Sequence, residues 1–113
     1  MAVYVSNIVI EKGFDFDTSF QLEDTRTNSP LDLSDATTEA QMRKHYGAST
    51  SVSFASTITS ADQGIISISM TSNQTVSLKP GRYVYDVEIT SGASVKTRVL
   101  EGQLEIMPTV TKI

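Results

Sequence analysis

Segment 78–89, Leu-Lys-Pro-Gly-Arg-Tyr-Val-Tyr-Asp-Val-Glu-Ile, constrains the fold of this chain most, because it joins a turn to a strand of alternating character. Pro80 and Gly81 form a turn dipeptide that begins the strand. One face of the strand then carries the apolar and aromatic residues Tyr83, Tyr85, Val87 and Ile89, and the other face carries Arg82, Val84, Asp86 and Glu88. A strand with one buried and one mostly solvated face is typical of an antiparallel β-sandwich.

Six further segments show alternating or apolar runs bounded by turn residues, namely 3–10, 14–22, 37–46, 52–58, 65–70 and 95–106. Seven strands at this spacing predict an all-β fold, an immunoglobulin-like antiparallel β-sandwich. A length of 113 residues predicts one domain over 1–113, with 109–113 as a loose tail. The segment 24–33 has the residue types of a loop. Ser72 is predicted to cap at most one short helical turn over 72–77.

Segment 37–46 has two interpretations. Thr38, Ala40 and Met42 alternate with polar residues, and the alternation resumes in 52–58, which favours a strand and its hairpin partner. The residues 39–44 also have good helix propensity, and Ser34 or Asp35 could cap a helix. We favour the strand and keep the helix as the alternative.

Several positions predict local detail. In 14–22 the rings of Phe14, Phe16 and Phe20 are expected to face inward. Changes of phase predict a bulge or a switch of sheet near Asn7, and a bulge near Val99 and Leu100. Gly102, inside the last strand, predicts a close backbone approach or a bend.

Composition narrows the classes of function. Nine basic and 13 acidic residues give a net charge of −4, and the basic residues are dispersed, which argues against binding to nucleic acid or to an anionic membrane surface. The chain has no cysteine, so no disulfide is expected. We find no signal-peptide pattern and no apolar run long enough to span a bilayer. These features predict a protein that is made and folded in the cytoplasm.

No catalytic, cofactor-binding or metal-binding motif is found in the sequence. His45 is the only histidine, and no partner of matching character is evident, so a surface or interface position is expected. The densest acidic group, Asp15, Asp17, Glu23 and Asp24, is better explained as a solvated face than as a calcium site. We therefore predict no enzyme, no cofactor and no small-molecule substrate.

Basic residues on the predicted strands are the candidate interface. They are Arg43, Arg82, Lys96 and Arg98, together with His45. A hairpin through 91–94 would place Lys96 and Arg98 opposite Glu88 and Asp86, where cross-strand ion pairs explain them without a ligand. Docking to a partner protein is the functional alternative.

Several motifs together resemble a family of small virion proteins from tailed phages of marine and cyanobacterial hosts. The motifs are Asn-Ile-Val-Ile at 7–10, Gly-Phe-Asp-Phe at 13–16, Pro-Leu-Asp-Leu at 30–33, Ala-Gln-Met-Arg-Lys at 40–44, the segment 78–86, and Arg-Val-Leu-Glu-Gly at 98–102. They are similar to the immunoglobulin-like N-terminal domain of phage baseplate upper proteins. Those proteins continue into further domains, whereas this chain ends at Ile113.

The segment around Pro80 and Gly81 also resembles the entry to the tyrosine corner of immunoglobulin-like and fibronectin-type domains. In such a corner a tyrosine hydroxyl bonds to nearby backbone. The spacing allows either Tyr83 or Tyr85 to take this role.

The resemblance implies a structural and assembly role in the virion, most readily in the baseplate or tail, with other virion proteins as partners and a homo-oligomer as a further expectation. A capsid decoration protein and a host- or glycan-binding module are the alternatives. The loops hold no tryptophan for sugar stacking, which weakens the glycan alternative.

Overall fold

A computed structural model describes residues 4–24 and 29–108. Within these residues there are eleven strands and one short helix. In chain order they are β1 (Tyr4–Val5), β2 (Ile8–Glu11), β3 (Phe16–Gln21), β4 (Glu23–Asp24), β5 (Ser29–Pro30), β6 (Thr37–Arg43), β7 (Val52–Ser53), β8 (Ala55–Ser60), β9 (Ile65–Met70), α1 (Ser72–Thr75), β10 (Gly81–Thr90) and β11 (Lys96–Met107). The predicted loose tail 109–113 lies outside the described residues.

The strands form a β-sandwich of two sheets. The larger sheet has the order β1-β11-β10-β6-β7, with β2 also paired to β11, and the smaller sheet has the order β3-β9-β8. These two strand orders are those of an immunoglobulin-like Greek key, so the predicted fold class is confirmed. One feature departs from a fully antiparallel sandwich, because β1 and β2 pair with β11 in parallel.

The core lies between the two sheets and follows from the alternation in each strand. In β10 the side chains of Tyr85, Val87 and Ile89 are buried, as the sequence predicted. Three rings connect the sheets: Phe54 lies 6.2 Å from Phe16 and 6.4 Å from Tyr85, measured between ring centroids. Each fully buried aliphatic or aromatic side chain contributes about 1.5–3 kcal/mol through removal of apolar surface from water.

The segment 37–46 is a strand, β6, although it is shorter than predicted. Ala40 and Met42 are buried and the strand ends at Arg43, so Lys44 and Tyr46 lie beyond it and are exposed. Alternation is the stronger signal here because the buried face needs period two, whereas a helix would have carried polar residues into the core.

The predicted hairpin partner 52–58 is divided between the two sheets. Only β7 pairs with β6, and β8 pairs with β9 in the smaller sheet. The backbone N–H of Phe54 still donates to the Ala40 carbonyl at 3.0 Å, which marks where the chain leaves the larger sheet. Phe54 itself is buried, so the crossing point is fixed by its ring in the core.

The expectation for Phe14 was wrong, because its side chain is 46% exposed and β3 begins only at Phe16. Gly13, with a φ of 87°, turns the chain just before it. The Gly13 N–H donates to Thr75 Oγ1 at 3.1 Å, and Thr75 Oγ1 donates to the Phe14 carbonyl at 2.8 Å. Buried Thr75 therefore holds residues 13–14 in a turn, and the ladder of β3 starts after it.

The helical turn α1 lies inside the predicted range, but its cap is Thr71 and not Ser72. The side-chain oxygen of Gln74 accepts the Thr71 N–H at 2.9 Å, as in a capping box. Ser72 is instead the first helical residue, and its N–H donates to Asp15 Oδ1 at 2.7 Å. This bond gives Asp15 a structural role at the start of α1.

The predicted bulge near Val99 and Leu100 is confirmed. Val87 pairs with Leu100 whereas Glu88 pairs with Arg98, so Val99 is the extra residue, and both Val99 and Leu100 are buried. The predicted change of phase near Asn7 was wrong. Here β1 and β2 keep one register against β11, and Val5 is 72% exposed.

The segment 24–33 is not wholly a loop, because β5 and the second residue of β4 lie in it and the two strands pair as a ribbon. Its residues 25–28 lie outside the described residues.

Candidate protein-interaction surface

The turn at Pro80 and Gly81 supports a tyrosine corner made by Tyr83. The Tyr83 hydroxyl donates to the Lys79 carbonyl four residues earlier, at 2.8 Å. Gly81 has a φ of 140°, a conformation that side chains rarely adopt, so glycine is required there. Lys44 Nζ lies 4.8 Å from the centre of the Tyr83 ring, within the range of a cation–π contact.

Tyr85 has a different role, which anchors the N-terminal edge strand. Its buried hydroxyl donates to the Ser6 carbonyl at 2.5 Å, between β1 and β2. Burial raises the pKa of Tyr85 to about 12, an effect partly opposed by the side chain of Ser6. A Cβ on Gly102 would overlap the Ser6 carbonyl, so the close backbone approach predicted at Gly102 is what brings Ser6 to Tyr85.

The outer face of the larger sheet carries a shallow groove of about 300 Å³ between β6 and β10. The register places Arg43 beside Val84, Gln41 beside Asp86 and Glu39 beside Glu88. The residues that line the groove are Gln41, Arg43, Tyr46, Val84, Tyr85, Asp86, Glu88 and Arg98. The groove thus has the apolar side chain of Val84 and the basic side chain of Arg43 at one end and the acidic side chain of Glu88 at the other.

Arg98 lies at the acidic side of this groove and is neutralised within the chain. Its Nε atom lies 3.3 Å from Asp86 Oδ2, and its Nη1 atom lies 3.2 Å from Glu101 Oε2. In the β10–β11 ladder it stands opposite Glu88. The prediction that cross-strand ion pairs explain Arg98 therefore matches the contacts, whereas Lys96 stands opposite Thr90 and not opposite Glu88.

Arg43 differs from Arg98, because it is half-buried and contacts only neutral acceptors. Its Nη1 donates to the Ala48 carbonyl at 2.7 Å, and its Nη2 donates to Gln41 Oε1 at 3.4 Å. Among the residues that the structure describes, no carboxylate lies within ion-pair distance of Arg43. The bond to Ala48 holds the guanidinium in place over the groove, which leaves its charge available to a partner.

The remaining candidate residues surround Arg43 at the same end of the sheet. His45 is exposed in the turn after β6, where its carbonyl accepts the Ala48 N–H at 3.0 Å. Arg82 is exposed on the outer face opposite Glu105, at the start of β10. The structure thus brings Arg43, His45 and Arg82 to one end of the sheet and places Lys96 at the other end.

The sequence did not single out Tyr46 as part of this surface. Its side chain is 70% exposed and lines the groove next to Arg43. Tyr and Arg are the residue types most enriched where protein interfaces gain their affinity. Because β6 ends at Arg43, Tyr46 lies beyond the strand and its ring is not buried by the alternation of that strand.

Within residues 4–24 and 29–108, no group of three or more His, Asp or Glu side chains is arranged to hold a metal ion. In the same part of the chain, no helix has the length and apolar character needed to span a membrane.

Comparisons with known proteins add a fold-level similarity only. Neither a protein-family model nor a curated protein matches the sequence. Among solved structures, the fold is similar to that of an internalin-like protein of Listeria monocytogenes, with a TM-score of 0.48 and 17% sequence identity. The match covers 95% of this chain and 28% of that protein, so this chain spans under a third of its length. A similarity at this level carries no argument about function.

Proposed function

We propose that this protein is a non-enzymatic structural module of a tailed-phage particle that binds neighbouring virion proteins. Its place is the baseplate or tail, in several symmetric copies. The resemblance of segments 40–44 and 78–86 to phage baseplate upper proteins supports the setting in the particle.

One observation supports a binding role for the larger sheet. Its outer face presents a fixed and unneutralised Arg43, an exposed Tyr46 ring and the apolar side chain of Val84 in a single groove. Aromatic rings and arginine side chains are enriched at protein interfaces. A groove of about 300 Å³ has room for one or two side chains of a partner.

Antibody labelling of purified particles of a phage that encodes the chain, imaged by electron microscopy, tests the setting. We expect label at the tail tip. Label spread over the head would instead make the protein a capsid decoration protein. Particles that stay unlabelled both intact and after opening would refute a place in the virion.

A second experiment tests the surface. The double variant Arg43→Gln/Tyr46→Ala, introduced into the phage gene, should reduce the copies of the protein per particle. Lys96→Gln is the matched control, because it removes the same charge from the far end of the same sheet. Equal incorporation of both variants would exclude the groove as the attachment surface.

A further inference from the structure

We infer that the Arg43 end of the groove binds an extended partner segment that places an Asp or Glu side chain beside Arg43 and an apolar side chain over Val84. The inference rests on the proposed function, because it takes the groove to be a protein-binding site. It adds the chemistry of the partner.

Charge complementarity carries the first step. The chain has a net charge of −4, yet in the described residues no carboxylate lies within ion-pair distance of the four cations at this end of the sheet. These cations are Arg43, Lys44, Lys79 and Arg82. Lys44 contacts the Tyr83 ring, and Lys79 and Arg82 flank the turn that begins β10. Of the four, Arg43 lines the groove, whereas Lys44 lies on the face of Tyr83 and Arg82 stands opposite Glu105. The positive charge of Arg43 favours approach of an acidic segment and disfavours a basic one.

The geometry of Arg43 gives the second step. A guanidinium has five N–H donors, and Arg43 donates to two neutral oxygens, those of Ala48 and Gln41. The bond to the Ala48 carbonyl holds the planar group, so a carboxylate can pair with the remaining donors without ordering the side chain first. Such pre-organisation is what a recognition arginine requires.

The groove also fixes the direction of the partner segment. Glu88 and Glu39 stand opposite each other at the far end, four residues along the strand from the Arg43–Val84 pair, which is about 13 Å. Two carboxylates there would repel an acidic side chain. The partner carboxylate is therefore confined to the Arg43 end, with an apolar residue over Val84 and against Tyr46.

Selection of a displayed library of random twelve-residue peptides on the immobilised protein tests this inference. We expect the binding peptides to be enriched in an Asp or Glu next to an apolar residue. For the best peptide, replacing that acid by its amide should weaken binding between about 10-fold and 100-fold, the range for loss of one charge-assisted hydrogen bond. The variant Arg43→Gln should weaken binding of this peptide by a similar factor, and Arg43→Lys should weaken it less. The control Lys96→Gln should change the affinity by less than about 2-fold.

The amide replacement in the peptide needs no protein variant, so the test holds even where Arg43→Gln disturbs residues 44–48. Binders without acidic enrichment, binding insensitive to the amide replacement, or no binder at all would overturn the inference. The two proposals can fail separately. If peptide binding depends on the acidic residue but antibody finds no protein in the particles, this inference is supported and the proposed virion role is refuted. Labelled particles, together with peptides whose binding does not depend on an acidic residue, would support the proposed virion role and overturn this inference.

Discussion

Replacing Tyr85 by Phe removes one hydroxyl and leaves the buried ring in place. The hydroxyl donates at 2.5 Å to the Ser6 carbonyl, the point at which the N-terminal edge strand is held against β10 and β11. Loss of a hydrogen bond that leaves a partly buried acceptor without its donor costs about 1–2 kcal/mol. For a domain of this size we expect Tm to fall by about 4–8 °C at neutral pH.

The pH dependence gives a second and sharper readout. Burial raises the pKa of folded Tyr85 to about 12, from its ordinary value of 10.0. Between pH 10 and 12 the unfolded chain therefore loses this proton while the folded chain keeps it. Rising pH then favours the unfolded state, so stability that is fully present below pH 10 falls with a slope of at most about 1.4 kcal/mol per pH unit.

Phenylalanine has no proton to lose, so the stability difference between the native protein and Tyr85→Phe should shrink as pH rises above 10. Urea denaturation followed by circular dichroism at pH 7 and at pH 11.5 measures both effects, and titration of lysines and other tyrosines cancels in the difference. Tyr83→Phe is the control and should lose stability at alkaline pH as the native protein does. A difference that stays constant from pH 7 to pH 11.5 would refute the reasoning.

Three further substitutions test other contacts. Gly102→Ala should lower the free energy of unfolding by about 2–4 kcal/mol, more than Tyr85→Phe, because the new Cβ overlaps the Ser6 carbonyl. Urea denaturation measures this loss, and an unchanged midpoint would contradict the close approach of the two backbones. Thr75→Val should cost about 1–3 kcal/mol, because the Gly13 N–H loses its buried acceptor, whereas Thr75→Ser should retain most of the stability in the same assay. Arg98→Gln should cost less than about 1 kcal/mol, since its side chain is 46% exposed; a larger loss in thermal denaturation would show that its ion pairs are stronger than surface pairs.

The sequence predicted strands best where a buried face forces strict alternation. In β10 every second residue from Tyr85 to Ile89 is buried, and the pattern alone identified them. In β11 two successive apolar residues, Val99 and Leu100, predicted the bulge, because a regular strand cannot turn both toward one side.

The same reasoning failed at the edges of the sandwich, where an apolar side chain need not be buried. Val5 is apolar yet faces solvent, so its alternation with Ile8 falsely indicated a change of phase. Phe14 continues the alternation of β3, but the hydroxyl of Thr75, 61 residues away in sequence, holds it outside the ladder. Contacts of this range leave no local signal in sequence.

For the candidate site, composition identified the basic residues but could not say which of them are neutralised. Which basic side chains are paired with carboxylates depends on the register of β10 and β11, and the bulge residue Val99 sets that register. If Val99 paired in register with Glu88 and formed no bulge, Arg98 would stand opposite Ile89 and point into the core; with the bulge, Arg98 stands opposite Glu88 on the outer face. Asp86 then has two cationic diagonal neighbours, Arg98 on β11 and Arg43 on β6.

Asp86 pairs with Arg98, at 3.3 Å, and Glu101 adds a second carboxylate to the same guanidinium. Arg43 is left with neutral acceptors only. The bulge at Val99 therefore has two effects: it keeps the charged side chain of Arg98 out of the core, and it places that side chain where it pairs with Asp86. The charge at the basic end of the groove is available to a partner because a packing irregularity on the neighbouring strand supplies Asp86 with another cation.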